Sequence, residues 1–184
     1  MDAFEQLVSE ILWMDGLWVR TSVKVEITKE EKRLIGRPSS PRWEIDIVAY
    51  SGRENLLYAV ECKSYLDSRG VRICGFDGTD PKTASRYKLF CDDGLREAVL
   101  GRLRAQLTAS GACSPDTRVQ LCMACGRIAS DKDRRALREH FAAKDWLLWD
   151  EEWLRTKLKK MSDAGYENQV SAVVAKLLLR GKVP

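Results

Sequence analysis

The chain predicts an α/β domain in which a central mixed β-sheet is flanked by helices. Two stretches, Trp43–Tyr50 and Leu57–Lys63, alternate apolar and polar residues with the period of two that a half-buried strand requires. Arg118–Cys125 is a nearly continuous apolar run, as a strand covered on both faces is. Residues 2–14, 93–107 and 131–143 space their apolar positions three and four apart, the period of a helix. In chain order this gives helix, three strands, helix, strand, helix, strand, followed by two more helices.

The 184 residues suffice for one domain with a sizeable core. Charged residues make up 32% and hydrophobic ones 45%, an ordinary soluble balance. The 31 basic against 27 acidic residues leave a net charge of +4, a weak pull toward a polyanionic partner. No apolar run reaches membrane-spanning length, and the N-terminus opens as an acidic amphipathic helix rather than a signal peptide. No membrane partner is therefore expected. A cytoplasmic location is, with the six cysteines mostly reduced. Residues 1–150 read as the core and 151–184 as a helical extension packed on it.

Asp2 is placed to cap the first helix, whose stripe is Phe4, Leu7, Val8, Ile11 and Leu12. Glu5 lies just beside that stripe and Glu10 on the opposite flank. Asp15-Gly16 ends the helix, and Trp18–Ile27 follows as a strand with Val19, Val23, Val25 and Ile27 on one side. Residues 28–42 read as a loop that sets Lys29, Lys32, Arg33, Arg37 and Arg42 among Gly36, Pro38 and Pro41. Five basic residues in fifteen make a candidate phosphate-contacting arm, against the plainer reading of a solvated loop. Residues 70–94 are broken by Gly70, Gly75, Gly78 and Pro81 and offer Phe76 and Tyr87 for stacking, either as a substrate-binding loop or as a peripheral decoration. In the 93–107 helix Leu95, Val99, Leu103 and Leu107 face a core, while Arg96, Arg102 and Arg104 face out. Asp131 caps the 131–143 helix, Trp146–Trp149 is a short strand, and residues 150–162 and 166–180 are the last helices. The broad apolar face of the final helix makes a homodimer or a partner protein a candidate.

The chemistry gathers on the second and third strands. Side chains two apart share a face, so Glu61 and Lys63 point one way and Cys62 the other. In the preceding strand Glu44, Asp46 and Val48 share one face, and Trp43, Ile45, Ile47 and Ala49 share the core face. Core must meet core, so Ile45, Ile47 and Ala49 lie on the side of Tyr58, Val60 and Cys62. The register centred on the hairpin loop then sets Asp46 opposite Glu61 and Glu44 opposite Lys63. Two carboxylates so placed repel unless a cation sits between them. Mg²⁺, a hard ion that seeks oxygen, is the natural occupant, with Mn²⁺ as its substitute and the Cys62 main-chain carbonyl as a further ligand. Lys63 would stand beside the metal, placed to orient a water or to stabilise charge on a phosphate.

At these residues the sequence resembles the PD-(D/E)XK nuclease superfamily, the restriction endonuclease-like fold. Asp46 matches the motif's Asp and Glu61-Cys62-Lys63 its E-x-K, while Ile45 stands where the motif has Pro. The first helix, with Phe4-Glu5 followed by Val8 and Leu12, is similar to that family's helix. The resemblance implies an α-β-β-β-α-β core and Mg²⁺-dependent endonuclease activity on phosphodiester bonds. DNA is the favoured substrate, in defence, restriction or repair. It implies Asp46, Glu61 and Lys63 as catalytic residues, with Glu5, ahead of Glu10, as the helix carboxylate assisting at the metal. It also implies Ser64, Tyr65 and Arg69 as nucleic-acid contacts beside Lys32, Arg33, Arg37 and Arg42.

Other chemistry has less to work with. Zinc needs four ligands, and Cys122-x-x-Cys125 has no second pair at suitable spacing and points to both faces of its strand. His140 is the only histidine and sits mid-helix, and no phosphate-binding Gly-rich loop is present. Against the nuclease stand two other readings: a catalytically silent nucleic-acid- or protein-binding module of the same fold, and a plain salt-bridged sheet face.

Overall fold

The computed structural model describes residues 2–36, 42–165 and 168–179; Arg37 therefore lies outside the described residues. Helix α1 (Ala3–Met14) starts where expected. The Asp2 carboxylate accepts the Glu5 N–H and the Glu5 carboxylate accepts the Asp2 N–H, a reciprocal cap.

Among the described residues five strands form one mixed sheet in the order of the chain. Strands β1 (Trp18–Val25), β2 (Trp43–Ser51) and β3 (Leu56–Lys63) pair antiparallel. Strands β4 (Arg118–Cys125) and β5 (Leu147–Trp149) add in parallel, so each needs a crossover. Helix α5 (Asp93–Ala109) and then α6 (Asp131–Ala143) supply these, and Leu95, Val99, Leu103, Leu137 and Phe141 bury one face of the sheet. The other face is covered by Phe4, Val8, Ile11 and Leu12 of α1, by Leu154 and Met161 of α7 (Glu151–Asp163), and by Ala172 and Ala175 of α8 (Val170–Leu179). The C-terminal helices thus share a core with α1. The outward side of α8 leaves Val170, Leu177 and Leu178 largely exposed.

The segment read as a basic loop begins with a helix, α2 (Lys29–Leu34). Thr28 and Glu31 close a capping box, and Glu31 also pairs with Arg102 of α5 at 2.8 Å. Residues 70–94 are a string of short helical turns, Ile73–Gly75, α3 (Pro81–Ala84) and α4 (Lys88–Cys91). Phe76 and Tyr87, expected to be free for stacking, instead pack against each other with ring centroids 4.4 Å apart. They join Phe90, Phe141 and Trp146 in the core. Their apolar area is worth more buried than presented to solvent.

One strand expectation fails in an informative way. Ile47 and Ala49 do face the side of Tyr58, Val60 and Cys62, but Ile45 and Trp43 pack into the opposite core with Val48. In β1, Val19 lies on the α1 side while Val23 and Val25 lie on the α5 side. Both strands change faces at one rung. There Ser22, between the pairs Thr21↔Ile47 and Val23↔Ile45, sits opposite Asp46 with φ +51°. A left-handed residue breaks the alternation that sequence parity assumes.

Candidate functional site

The β2–β3 register is the expected one: Ile47↔Val60, Val48↔Ala59 and Tyr50↔Leu57. The ladder stops at Ile47 and Val60, one residue short of Asp46 and Glu61. Beyond it β2 follows β1 and β3 follows β4, so Asp46 stands at the fork. Its Oδ2 accepts the Cys62 N–H at 2.7 Å, a side-chain bond that bridges the gap where main-chain pairing has ended. This fixes the Asp46 carboxylate against the arm that carries Glu61 and Lys63. Glu44, expected opposite Lys63, is exposed and lies opposite Lys24 of β1 instead, because the strands have diverged by then.

On the β3 arm the Lys63 ammonium donates to the Cys62 carbonyl at 3.0 Å and lies 3.7 Å from Glu61 Oε2. The Glu61 side chain is 15% exposed, and its Oε1 is buried with no hydrogen-bond partner. Burial first, and the neighbouring Asp46 carboxylate second, push the Glu61 carboxyl up to about 7; Lys63 draws it down, and Glu5 adds a smaller upward push. Burial also holds the Cys62 thiol well above its ordinary range, which leaves the main-chain carbonyl as the donor Cys62 offers to a hard cation.

The fit to a divalent cation rests on these observations. A buried carboxylate oxygen without a donor, beside a second carboxylate, lacks a positive partner that Lys63 supplies only to the other oxygen. Asp46, Glu61 and the Cys62 carbonyl are the residues that would hold Mg²⁺. Among the described residues no three His, Cys, Asp or Glu side chains gather as a metal cluster, so this donor set is two side chains and a main-chain oxygen. Glu5 is half-buried and within electrostatic reach of Glu61, with one carboxylate oxygen engaged in the α1 cap. Glu10 is not part of the site. It accepts from Gln6 and from Ser171 of α8, which ties α1 to α8.

The chain after Lys63 is fastened across the end of β4. Gly126 N–H donates to the Lys63 carbonyl at 3.1 Å, Val71 N–H donates to the Arg127 carbonyl, and Ala129 N–H donates to the Val71 carbonyl. A Cβ on Gly126 would come within 2.3 Å of the Ser64 carbonyl, so only glycine permits this approach. Ser64 is therefore buried under β4 in part. Tyr65, at φ +45°, bonds the Tyr87 side chain and packs on the core. Arg69, Arg72 and Arg127 are exposed around this fastening. Arg33 is exposed and Lys32 half-buried on α2, and Arg42 pairs with Glu26 at 3.2 Å. The sequence reading missed Arg127 and Gly126; a glycine closing an apolar strand was the available signal.

Cys122 and Cys125 lie on opposite faces of β4, as parity predicts. His140, on α6, packs against Phe76, Phe141 and Trp146. Among the described residues no helix is long and apolar enough to cross a membrane. No family model, curated protein or solved structure matches this chain.

Proposed function

We propose that the chain is a Mg²⁺-dependent endonuclease of the restriction endonuclease-like fold, acting on phosphodiester bonds and on DNA by preference. The observation that carries this reading is the partnerless buried Glu61 Oε1 beside Asp46, with Lys63 at the same fork. A bound Mg²⁺ would supply charge neutralisation at the phosphate and a lowered pKa for water. Asp46 is oriented by the Cys62 N–H, which leaves its Oδ1 directed by the same bond. Lys63 is held by the Cys62 carbonyl within reach of Glu61, where its ammonium can balance charge on a phosphate or position the attacking water. Arg69, Arg72 and Arg127 offer phosphate contacts on the side where the chain leaves β3, and Lys32 and Arg33 offer them on α2.

A panel of supercoiled, linear, single-stranded and branched DNA, with RNA, incubated with Mg²⁺, Mn²⁺ or EDTA tests this. Metal-dependent cutting that falls by about 100-fold or more in Lys63→Ala is the expected result. No cutting on any substrate, together with no Mn²⁺ binding by calorimetry, overturns it. The weight then passes to a binding module, which the exposed Val170, Leu177 and Leu178 of α8 favour.

A further inference from the structure

Ser22 touches none of the site's chemistry, yet it occupies the rung on which the site is built. It lies directly across the β1–β2 ladder from Asp46, and it is the one residue of β1 with a left-handed backbone, at φ +51°. The pairing is interrupted at this rung alone, with Thr21↔Ile47 on one side and Val23↔Ile45 on the other. Three changes coincide there. The apolar side chains of β1 pass from the α1 face to the α5 face between Val19 and Val23. Those of β2 do the same between Ile47 and Ile45. The ladder between β2 and β3 ends at Ile47, immediately before Asp46.

In a regular strand Asp46 would share a face with Val48, which is buried in the α5 core, and its carboxylate would be driven into apolar packing. Turning both strands at the Ser22 rung takes it out of that alternation and brings Oδ2 to the Cys62 N–H on the neighbouring strand. A backbone outlier held by surrounding structure at a functional rung points to positioning.

We infer that Ser22 is a positioning residue. Its left-handed backbone turns β1 and β2 over together, and so aims the Asp46 carboxylate at Cys62 N–H and at the space beside Glu61. The inference rests on the metal-site reading for its purpose, while its mechanical part stands on the backbone alone. Backbone conformation, rather than the hydroxyl, is the operative property, so replacements sort by their tolerance of positive φ. Glycine adopts this conformation readily, whereas a β-branched residue is a poor occupant of it.

The test uses Ser22→Gly and Ser22→Val in the full chain, with Ser22→Thr as the milder β-branched replacement should the valine variant not fold. Two readouts are taken: amide hydrogen exchange at Cys62, and Mn²⁺ affinity by calorimetry. The expected result is that Ser22→Gly stays within twofold of wild type in both. The β-branched variant, folded by circular dichroism, exchanges the Cys62 amide at least tenfold faster and binds Mn²⁺ at least tenfold more weakly. A folded β-branched variant that keeps Cys62 protection and Mn²⁺ affinity overturns the inference, as does a Ser22→Gly variant that loses both. Wild type that binds no Mn²⁺ defeats the nuclease reading instead, and exchange at Cys62 then decides the role of Ser22 by itself.

Discussion

Glu61 is a residue whose burial and charge conflict. Its carboxylate is buried, one oxygen has no donor, and Asp46 lies close by. The charged form therefore costs the metal-free fold free energy that a cation would return. Glu61→Gln should raise the stability of the metal-free protein at pH 7 by on the order of 1 kcal/mol. The same change should abolish Mn²⁺ binding. Urea denaturation and calorimetry on one preparation check both halves; a destabilised variant would show that Lys63 already balances the site. At this scale Glu61, Cys62 and Lys63 were legible from strand parity, and Asp46 from register, while the face Asp46 takes was not. Ser22 was not, because a serine in an alternating strand carries no mark of a positive φ. Phe76 and Tyr87 were read as available to substrate because their loop is rich in glycine, but aromatic burial decided where they went.

At the scale of elements, α6 and α7 are locked by charge. Asp150, 3% exposed, caps α7 through the Glu152 and Trp153 N–H groups and accepts from Arg134 and Arg138 of α6. Burial alone would raise its carboxyl, but the Trp153 N–H and the Arg138 and Arg134 guanidinium groups outweigh that and hold it below the usual range. A depressed carboxyl contributes stability that is present above its unfolded value of about 4 and is lost as pH falls through the folded value. Asp150→Ala should cost about 1–3 kcal/mol at pH 7, because it removes a cap and takes one carboxylate from Arg134 and Arg138, which keep Glu151 and Glu152. The difference from wild type should shrink as pH drops below about 4. Urea midpoints across that range measure it, and a gap that stays constant would mean the cap alone matters. Helices α1, α5 and α6 were readable from spacing, and α1 also from its Asp2 cap, whereas α6 is capped by Ser130 rather than Asp131. Helix α2 was hidden by its charge and by the prolines and glycine that follow it, although Thr28 with Glu31 is a capping pair visible in the sequence.

For the whole molecule, a ligand that binds only the folded state raises its stability by mass action, by about 2.7 kcal/mol at one hundred times Kd. In a domain of this size each kcal/mol moves Tm by roughly 2–4 °C. Millimolar Mn²⁺ should thus raise the melting temperature by several degrees, EDTA should reverse the shift, and Asp46→Ala should show none. A shift that persists in Asp46→Ala would place the ion elsewhere. The measurement needs no substrate, and it separates a metal site from a salt-bridged sheet face.

The sequence by itself determined the α/β class, the order of the strands in the chain, the β2–β3 register and the gathering of Asp46, Glu61 and Lys63. Period-two alternation, helical spacing and loop-centred pairing are local properties that neighbouring residues impose on one another. Only the tertiary structure decided that the ladder ends at Ile47, that β1 and β2 turn over at Ser22 and Asp46, and that one Glu61 oxygen is buried without a donor. It also decided that the chain after Lys63 is fastened beneath Gly126. These depend on β1 and β4, which lie on either side of the motif in space and far from it in sequence. A strand's pairing partners set where it can stop and bend, and a pattern confined to the strand itself does not contain them.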